Sequence, residues 1–150
     1  MTDDHFETLS ISRNFNIPAS KVWDAMRWDN TEFFADIGLF SKVDFKNPYG
    51  QWAKAPSPRT VHLIGEGAID ETLTFVDERA MHLRFELDEP EQYGLRFFEG
   101  TYRVKALGID RSSLTNSARF QVGSRTLEDM QETWPETQIT LFEHIESRLG

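Results

Sequence analysis

The sequence predicts an α+β fold in which an antiparallel sheet of about seven strands covers its apolar face with a long C-terminal helix. Three observations predict it. Several segments between residues 59 and 122 alternate apolar and polar side chains, as antiparallel strands with one covered face do. The final stretch, TLEDMQETWPETQITLFEHIESRLG, instead carries Trp134, Leu141, Ile145 and Leu149 at helical spacing, with Phe142 beside them. Between the first strand and the others lie two short segments with helical punctuation.

The elements follow in order. FETLSISRNFNI (6–17) alternates, with Leu9, Ile11, Phe15 and Ile17 on one face and Arg13 interrupting it. Pro18 suits the first turn of a helix, where its missing N–H costs nothing. ASKVWDAMRW (19–28) continues that helix with Val22, Trp23 and Met26 at core spacing. NTEFFADIG (30–38) is a second short helix that Asn30 can cap and Gly38 can end. LFSKVDF (39–45) reads as a strand. KNPYGQWAKAPSP (46–58) holds three prolines and reads as a long loop, of the kind that is often functional. RTVHLI then leads through the turn GEG (65–67) into AIDETLTF (68–75). MHLRFELD (81–88), GLRFFEGTYRVK (94–105) and SLTNSARFQV (113–122) complete the sheet. Pro135 must kink the last helix or begin a new segment of it.

Composition narrows the function. A chain of 150 residues with 39% hydrophobic and 27% charged residues has the size and makeup of one globular domain, 1–150. A net charge of -9 opposes nucleic acid and anionic membrane surfaces. No cysteine is present, which removes disulfides, thiolate nucleophiles and zinc–cysteine sites. No stretch approaches the roughly 20 apolar residues of a membrane helix, so no membrane insertion is expected. The acidic start lacks the pattern of a signal peptide, and a cytoplasmic protein is expected.

Polar residues on apolar faces are the candidates for chemistry. In AIDETLTF the odd set is Ile69, Glu71, Leu73 and Phe75, so Glu71 is a carboxylate on the core side. It is either a polar anchor or acid/base for a ligand, or half of a structural ion pair, with Arg13 as a partner. Arg13 either snorkels to a sheet edge or enters the interior. Asn116 lies between Leu114 and Ala118 on an inward face, where its amide can serve a ligand or a buried neighbour. Tyr102 is inward by parity, and Gly100 near it marks a bulge or a place of close approach. Phe85, Leu87, Leu95, Phe98, Phe120, Trp134, Leu141 and Ile145 fill a core or line a cavity. His62 and His82 fall on polar strand faces, His144 is expected to be exposed, and no metal-ligand spacing occurs. No metal and no cofactor is expected.

Three blocks resemble a known family. ISRNFNIPASKVWDAM (11–26), RTVHLIGEGAIDETLTFVDERAMHLRFEL (59–87) and FFEGTYRVKALGIDRSSLTNSARFQV (97–122) resemble the START-like (SRPBCC) superfamily, most closely its polyketide cyclase/dehydrase family. The resemblance covers nearly the whole chain. It departs at the long 46–58 loop and at Pro135. It implies the helix-grip fold: a curved antiparallel sheet wrapped around the C-terminal helix, with an apolar cavity between them. It implies binding of lipid-, polyketide- or hormone-like molecules and, in some members, cyclisation or dehydration. Glu71 and Asn116 match positions that face the cavity in plant hormone receptors of this superfamily, and the GEG turn matches a gate there. It also shifts the aromatic set toward a cavity lining.

The resulting expectation is a binder of a small apolar or amphipathic, neutral molecule, oriented by Glu71 and Asn116, with Tyr102 and Arg13 as further contributors. The alternatives are a cyclase or dehydrase with Glu71 as acid/base, and an interaction module whose cavity has closed. A monomer or a homodimer is expected, self-association using a sheet face or the Tyr49/Trp52 loop.

Overall fold

A computed structural model describes residues 5–46, 54–65 and 67–150. In chain order the elements are β1 (Glu7–Phe15), α1 (Ala19–Met26), α2 (Thr31–Ala35), β2 (Phe40–Phe45), β3 (Ser57–Leu63), β4 (Ala68–Asp77) and β5 (His82–Leu87). A 3-10 turn at Pro90–Tyr93 precedes β6 (Leu95–Gly108), β7 (Arg111–Val122) and α3 (Leu127–Leu149). The strands form one seven-stranded sheet in the order β1-β7-β6-β5-β4-β3-β2, and every neighbouring pair is antiparallel. The first strand therefore pairs with the last, which places α1 and α2 beside the helix that covers the sheet.

The short helices are set by their punctuation. Pro18 sits one residue before α1, at its N-cap, and its carbonyl accepts the Val22 N–H at 3.3 Å. α1 ends at Met26, two residues before the predicted boundary, and Trp28 beyond it is fully buried. The Trp28 indole N–H donates to the Ser57 carbonyl at 2.9 Å, which pins this exit to β3. α2 is capped by Asn30, whose side chain accepts the Phe33 N–H at 3.3 Å. β3 starts at Ser57, so the end of the predicted 46–58 loop is strand. Tyr49, Trp52 and Glu66 lie outside the described residues. Leu63 N–H and Gly67 carbonyl close the β3–β4 hairpin at 3.1 Å.

Of the two alternatives for Pro135, a new helical segment is excluded. α3 runs unbroken from Leu127 to Leu149 with Pro135 inside it. The missing N–H leaves the Gln131 carbonyl without its intrahelical donor, and Gln131 is exposed to solvent. Thr126 caps the helix by accepting the Asp129 N–H at 3.1 Å.

Parity holds along β4 only as far as Leu73. A register shift between Leu73 and Phe75 inserts Thr74, so Phe75 pairs with Arg84 and Val76 with Leu83. Phe75 was expected on the core face. It lies instead on the outer face, where its ring meets His82 and the Arg84 guanidinium. Val76 packs on the core in its place.

The inner face of the sheet has two regions along α3. Toward the helix C-terminus Phe142 and Ile145 are fully buried, and Phe15 contacts Phe142 edge-on at 6.1 Å. Val22, Met26, Leu83, Val104 and Leu114 extend this solid core. Toward its N-terminus the packing opens.

Candidate functional site

A cavity of about 240 Å³ lies between β4–β6 and the N-terminal half of α3. Strand alternation brings Ile69, Phe85, Leu87, Phe98 and Tyr102 to it, a register shift between Leu95 and Phe97 lets Leu95 join them, and helical spacing brings Met130, Trp134 and Gln138. A smaller space of about 80 Å³ continues toward α2 and β2, lined by Phe34, Ile37, Leu39, Phe40, Val61 and Leu141. Ile69, Glu71, Tyr102, Thr137 and Gln138 line both.

Glu71 is buried, and its partner is Arg59, not Arg13. The two residues are directly opposite on β4 and β3. Arg59 Nε and Nη2 each approach Glu71 Oε1 at 2.7 Å, with the side chains 3% and 9% exposed. The guanidinium is clamped from the other side: its carbon lies 3.6 Å from the Trp28 ring centre and 4.7 Å from that of Phe34. Nη1 also donates to the Trp28 carbonyl at 3.3 Å. Desolvating two charges is costly, and these added contacts are what such a pair needs to persist. Both contacts use Oε1.

Tyr102 reaches the boundary between the two spaces. Burial first, and then the Glu71 carboxylate, push its phenol well above the usual range, opposed by Arg59. The hydroxyl therefore keeps its proton and is available as a donor. Its ring leans on Phe85, 5.4 Å away, and Phe85 also contacts Trp28 at 5.3 Å and Phe98 at 6.3 Å. Gly100 is the opposite residue to Phe85. A Cβ on Gly100 would fall 2.4 Å from that ring, so the close approach marked by this glycine is the Phe85 side chain lying across it.

The outer end of the cavity is joined by Gly94, in the left-handed region at φ 75°, whose carbonyl accepts the Gly123 and Arg125 N–H groups at 3.0 Å each. A Cβ there would fall 2.7 Å from Arg125 Cβ. Arg125 lines the cavity and donates to Asp129 and Thr133 on α3. The Tyr93 hydroxyl donates to the Ala68 carbonyl at 3.0 Å, and burial, with Asp70 and Glu71 behind it, raises that phenol too.

Several expectations are corrected. Arg13 snorkels outward from edge strand β1, bonding Glu146 at 2.7 Å and covering Phe142, so it does not enter the cavity. Asn116 is fully buried but lines neither space; Gln138 stands between, accepting its amide N–H at 2.8 Å. Phe120, on β7 beside the cavity, and Ile145, in the solid core, are fully buried and line neither space. Leu141 lines the smaller space. Phe85, Leu87, Leu95, Phe98, Trp134 and Tyr102 line the larger one. His144 is half-buried rather than exposed, its Nε2 3.1 Å from the Phe33 carbonyl and its ring 4.6 Å from Phe33.

Arg59, Tyr93, Arg125 and Gln138 were missed. Arg59 had a usable signal: a hairpin centred on Gly65 sets residue 59 against 71. Gln138 occupies the position one helical turn after Trp134 in the apolar stripe, where its polarity hid it.

This arrangement is a helix-grip fold, with a sheet gripping a long C-terminal helix and a cavity left between them. Solved structures of that fold superpose on nearly the whole chain. Norcoclaurine synthase from Thalictrum flavum, as a point mutant with a transition-state analogue, is similar at a TM-score of 0.74 and 14% identity, covering 99% of this chain and 97% of that one. Ara h 8.0201 is similar at 0.78 and 14%, covering 97% and 98%. An uncharacterized Bacillus thuringiensis protein is similar at 0.79 and 12%, covering 95% and 98%. No protein-family model matches the chain, and no curated protein matches its sequence. At these identities the likeness shows the fold alone.

Proposed function

We propose that this chain binds a small, neutral, apolar or amphipathic molecule in the cavity between its sheet and α3. The observation that carries the proposal is the 240 Å³ cavity itself, apolar along Phe85, Leu87, Leu95, Phe98 and Trp134, with Glu71, Tyr102, Thr137 and Gln138 where it meets the smaller space and Tyr93, Ser117, Arg125 and Thr133 elsewhere on its wall. Burial of apolar ligand surface supplies affinity, and the few convergent polar groups supply orientation. The Arg59–Glu71 pair carries no net charge, so the site favours neither an anion nor a cation. The volume lies just below the roughly 300–1,000 Å³ range of ligand sites, which suits a compact molecule. The protein acts in the cytoplasm in this reading, where a cysteine-free chain needs no oxidising compartment. Among the described residues no helix is long and apolar enough to cross a membrane.

The arrangement favours an anchoring role for Glu71 over the acid/base role of a cyclase or dehydrase. Both Arg59 contacts fall on Oε1, which commits that oxygen to the ion pair. The cavity also counts against an interaction module whose interior has closed. Native mass spectrometry of the freshly purified protein, with thermal-shift screening of neutral apolar compounds, tests the proposal. A co-purifying small molecule or a ligand-dependent rise in Tm is expected. Repeated absence of both contradicts it.

A further inference from the structure

We infer that the ligand carries its oxygen function inside its carbon skeleton, between a larger and a smaller apolar arm, rather than at one end. This inference rests on the ligand-binding reading above and names the class of molecule that the site takes. The geometry behind it is the position of the polar groups. Glu71, Tyr102 and Gln138 sit where the 240 Å³ and 80 Å³ spaces meet, since all three line both. Polar groups at the closed end of one pocket would suit a terminal headgroup. On a partition between two apolar spaces they meet a molecule that passes the partition. Beyond it the smaller space is walled by Phe34, Ile37, Leu39, Phe40, Val61 and Leu141, and by Arg59, whose Nε and Nη2 are held by Glu71 and whose Nη1 donates to the Trp28 carbonyl.

The same groups define the chemistry. Arg59 holds Oε1 of Glu71, and Oε2 is the oxygen left to accept from a hydroxyl. The Tyr102 hydroxyl is a donor, its proton retained by burial and by the neighbouring carboxylate. Gln138 accepts from Asn116 through Oε1, which frees its N–H groups for a ligand oxygen. The reverse amide orientation would strand both Asn116 N–H groups in the core, whereas this one partners the Asn116 nitrogen and leaves its Oδ1 without a partner. Asn116 is thus a positioning residue for Gln138. Two donors and one acceptor at one partition suit a neutral ketone or secondary alcohol. A carboxylate would face Glu71 instead, and Arg125 at the outer end is already held by Asp129 and Thr133.

The experiment compares three unbranched ten-carbon probes by tryptophan fluorescence titration: a ketone with its carbonyl at the fourth carbon, the terminal primary alcohol, and decanoate. The ketone is expected to bind about tenfold more tightly than the alcohol, the ratio that one or two well-placed hydrogen bonds supply. Decanoate is expected to bind more weakly than either. Tyr102→Phe should remove most of the ketone's advantage while leaving some binding. Leu39→Trp, at a half-exposed position that tolerates bulk, should narrow the smaller space and remove the advantage as well. Equal affinities, a tighter terminal alcohol, or an advantage unchanged in both variants overturns the inference and leaves the cavity reading standing. Failure of all three probes to bind removes that reading and the inference with it.

Discussion

Arg59→Met is the sharpest perturbation of the interior. It keeps an unbranched apolar side chain in the slot against Trp28 and Phe34 but leaves the Glu71 carboxylate buried, with the contacts at 2.7 Å on Oε1 gone. Removing one partner of a buried pair costs about 3–5 kcal/mol, because the other charge stays desolvated. For a chain of this length each kcal/mol moves Tm by about 2–4 °C, so a fall of roughly 6–20 °C is expected. In urea, with a slope of about 2 kcal/mol/M, the midpoint should drop by roughly 1.5–2.5 M. The double variant Arg59→Met/Glu71→Leu removes both charges. Replacing a buried pair by apolar residues is often neutral or stabilising, so most of the loss should be recovered. Chemical unfolding of wild type, both single variants and the double variant measures the coupling directly. A single-variant cost below about 1 kcal/mol, the worth of an exposed pair, would refute the reasoning. So would a double variant whose cost equals the sum of the singles.

Other expectations are more local. A folded-state phenol pKa raised above its unfolded value near 10 contributes stability that is complete below pH 10 and is lost as pH rises further. Wild type should therefore lose up to about 1.4 kcal/mol per pH unit above pH 10 from this group, and Tyr102→Phe should show a correspondingly shallower decline in urea unfolding. Gly100→Ala forces a Cβ into the Phe85 ring and should cost about 1–3 kcal/mol in thermal unfolding while shrinking the cavity, since that ring must move. Arg13→Ala breaks an exposed contact with Glu146 and should cost under about 1 kcal/mol, with ligand affinity unchanged in titration.

The fold was legible because alternation and helical spacing are local properties. Glu71 stood out by parity alone, and its burial follows from the same alternation that buries Leu73. Parity failed where the backbone broke its own period: the inserted Thr74 sends Phe75 outward, and no residue type in AIDETLTF marks that shift. Parity also could not separate Arg13 from Glu71, although both interrupt apolar faces. Arg13 lies on an edge strand within reach of solvent, whereas Glu71 lies on an interior strand, and strand order is a tertiary fact. The same limit applies to the apolar set. Phe120 and Phe98 directly oppose each other on β7 and β6, yet only Phe98 lines the cavity, because the cavity lies over β4–β6 and Phe120 is enclosed beside it on β7. Gln138 shows the converse: its spacing was legible, but only the structure shows that it takes the Asn116 amide and turns toward the open space.

The most direct test of binding in the cavity is an isotope-filtered NOE spectrum of labelled protein with the internal ten-carbon ketone. Ligand protons should contact the Trp134 indole and the Leu87 and Leu95 methyls, with weaker contacts to Leu141 across the partition. Contacts confined to exposed residues such as Ile64 and Ile109, with none to Trp134 or Leu87, would contradict it.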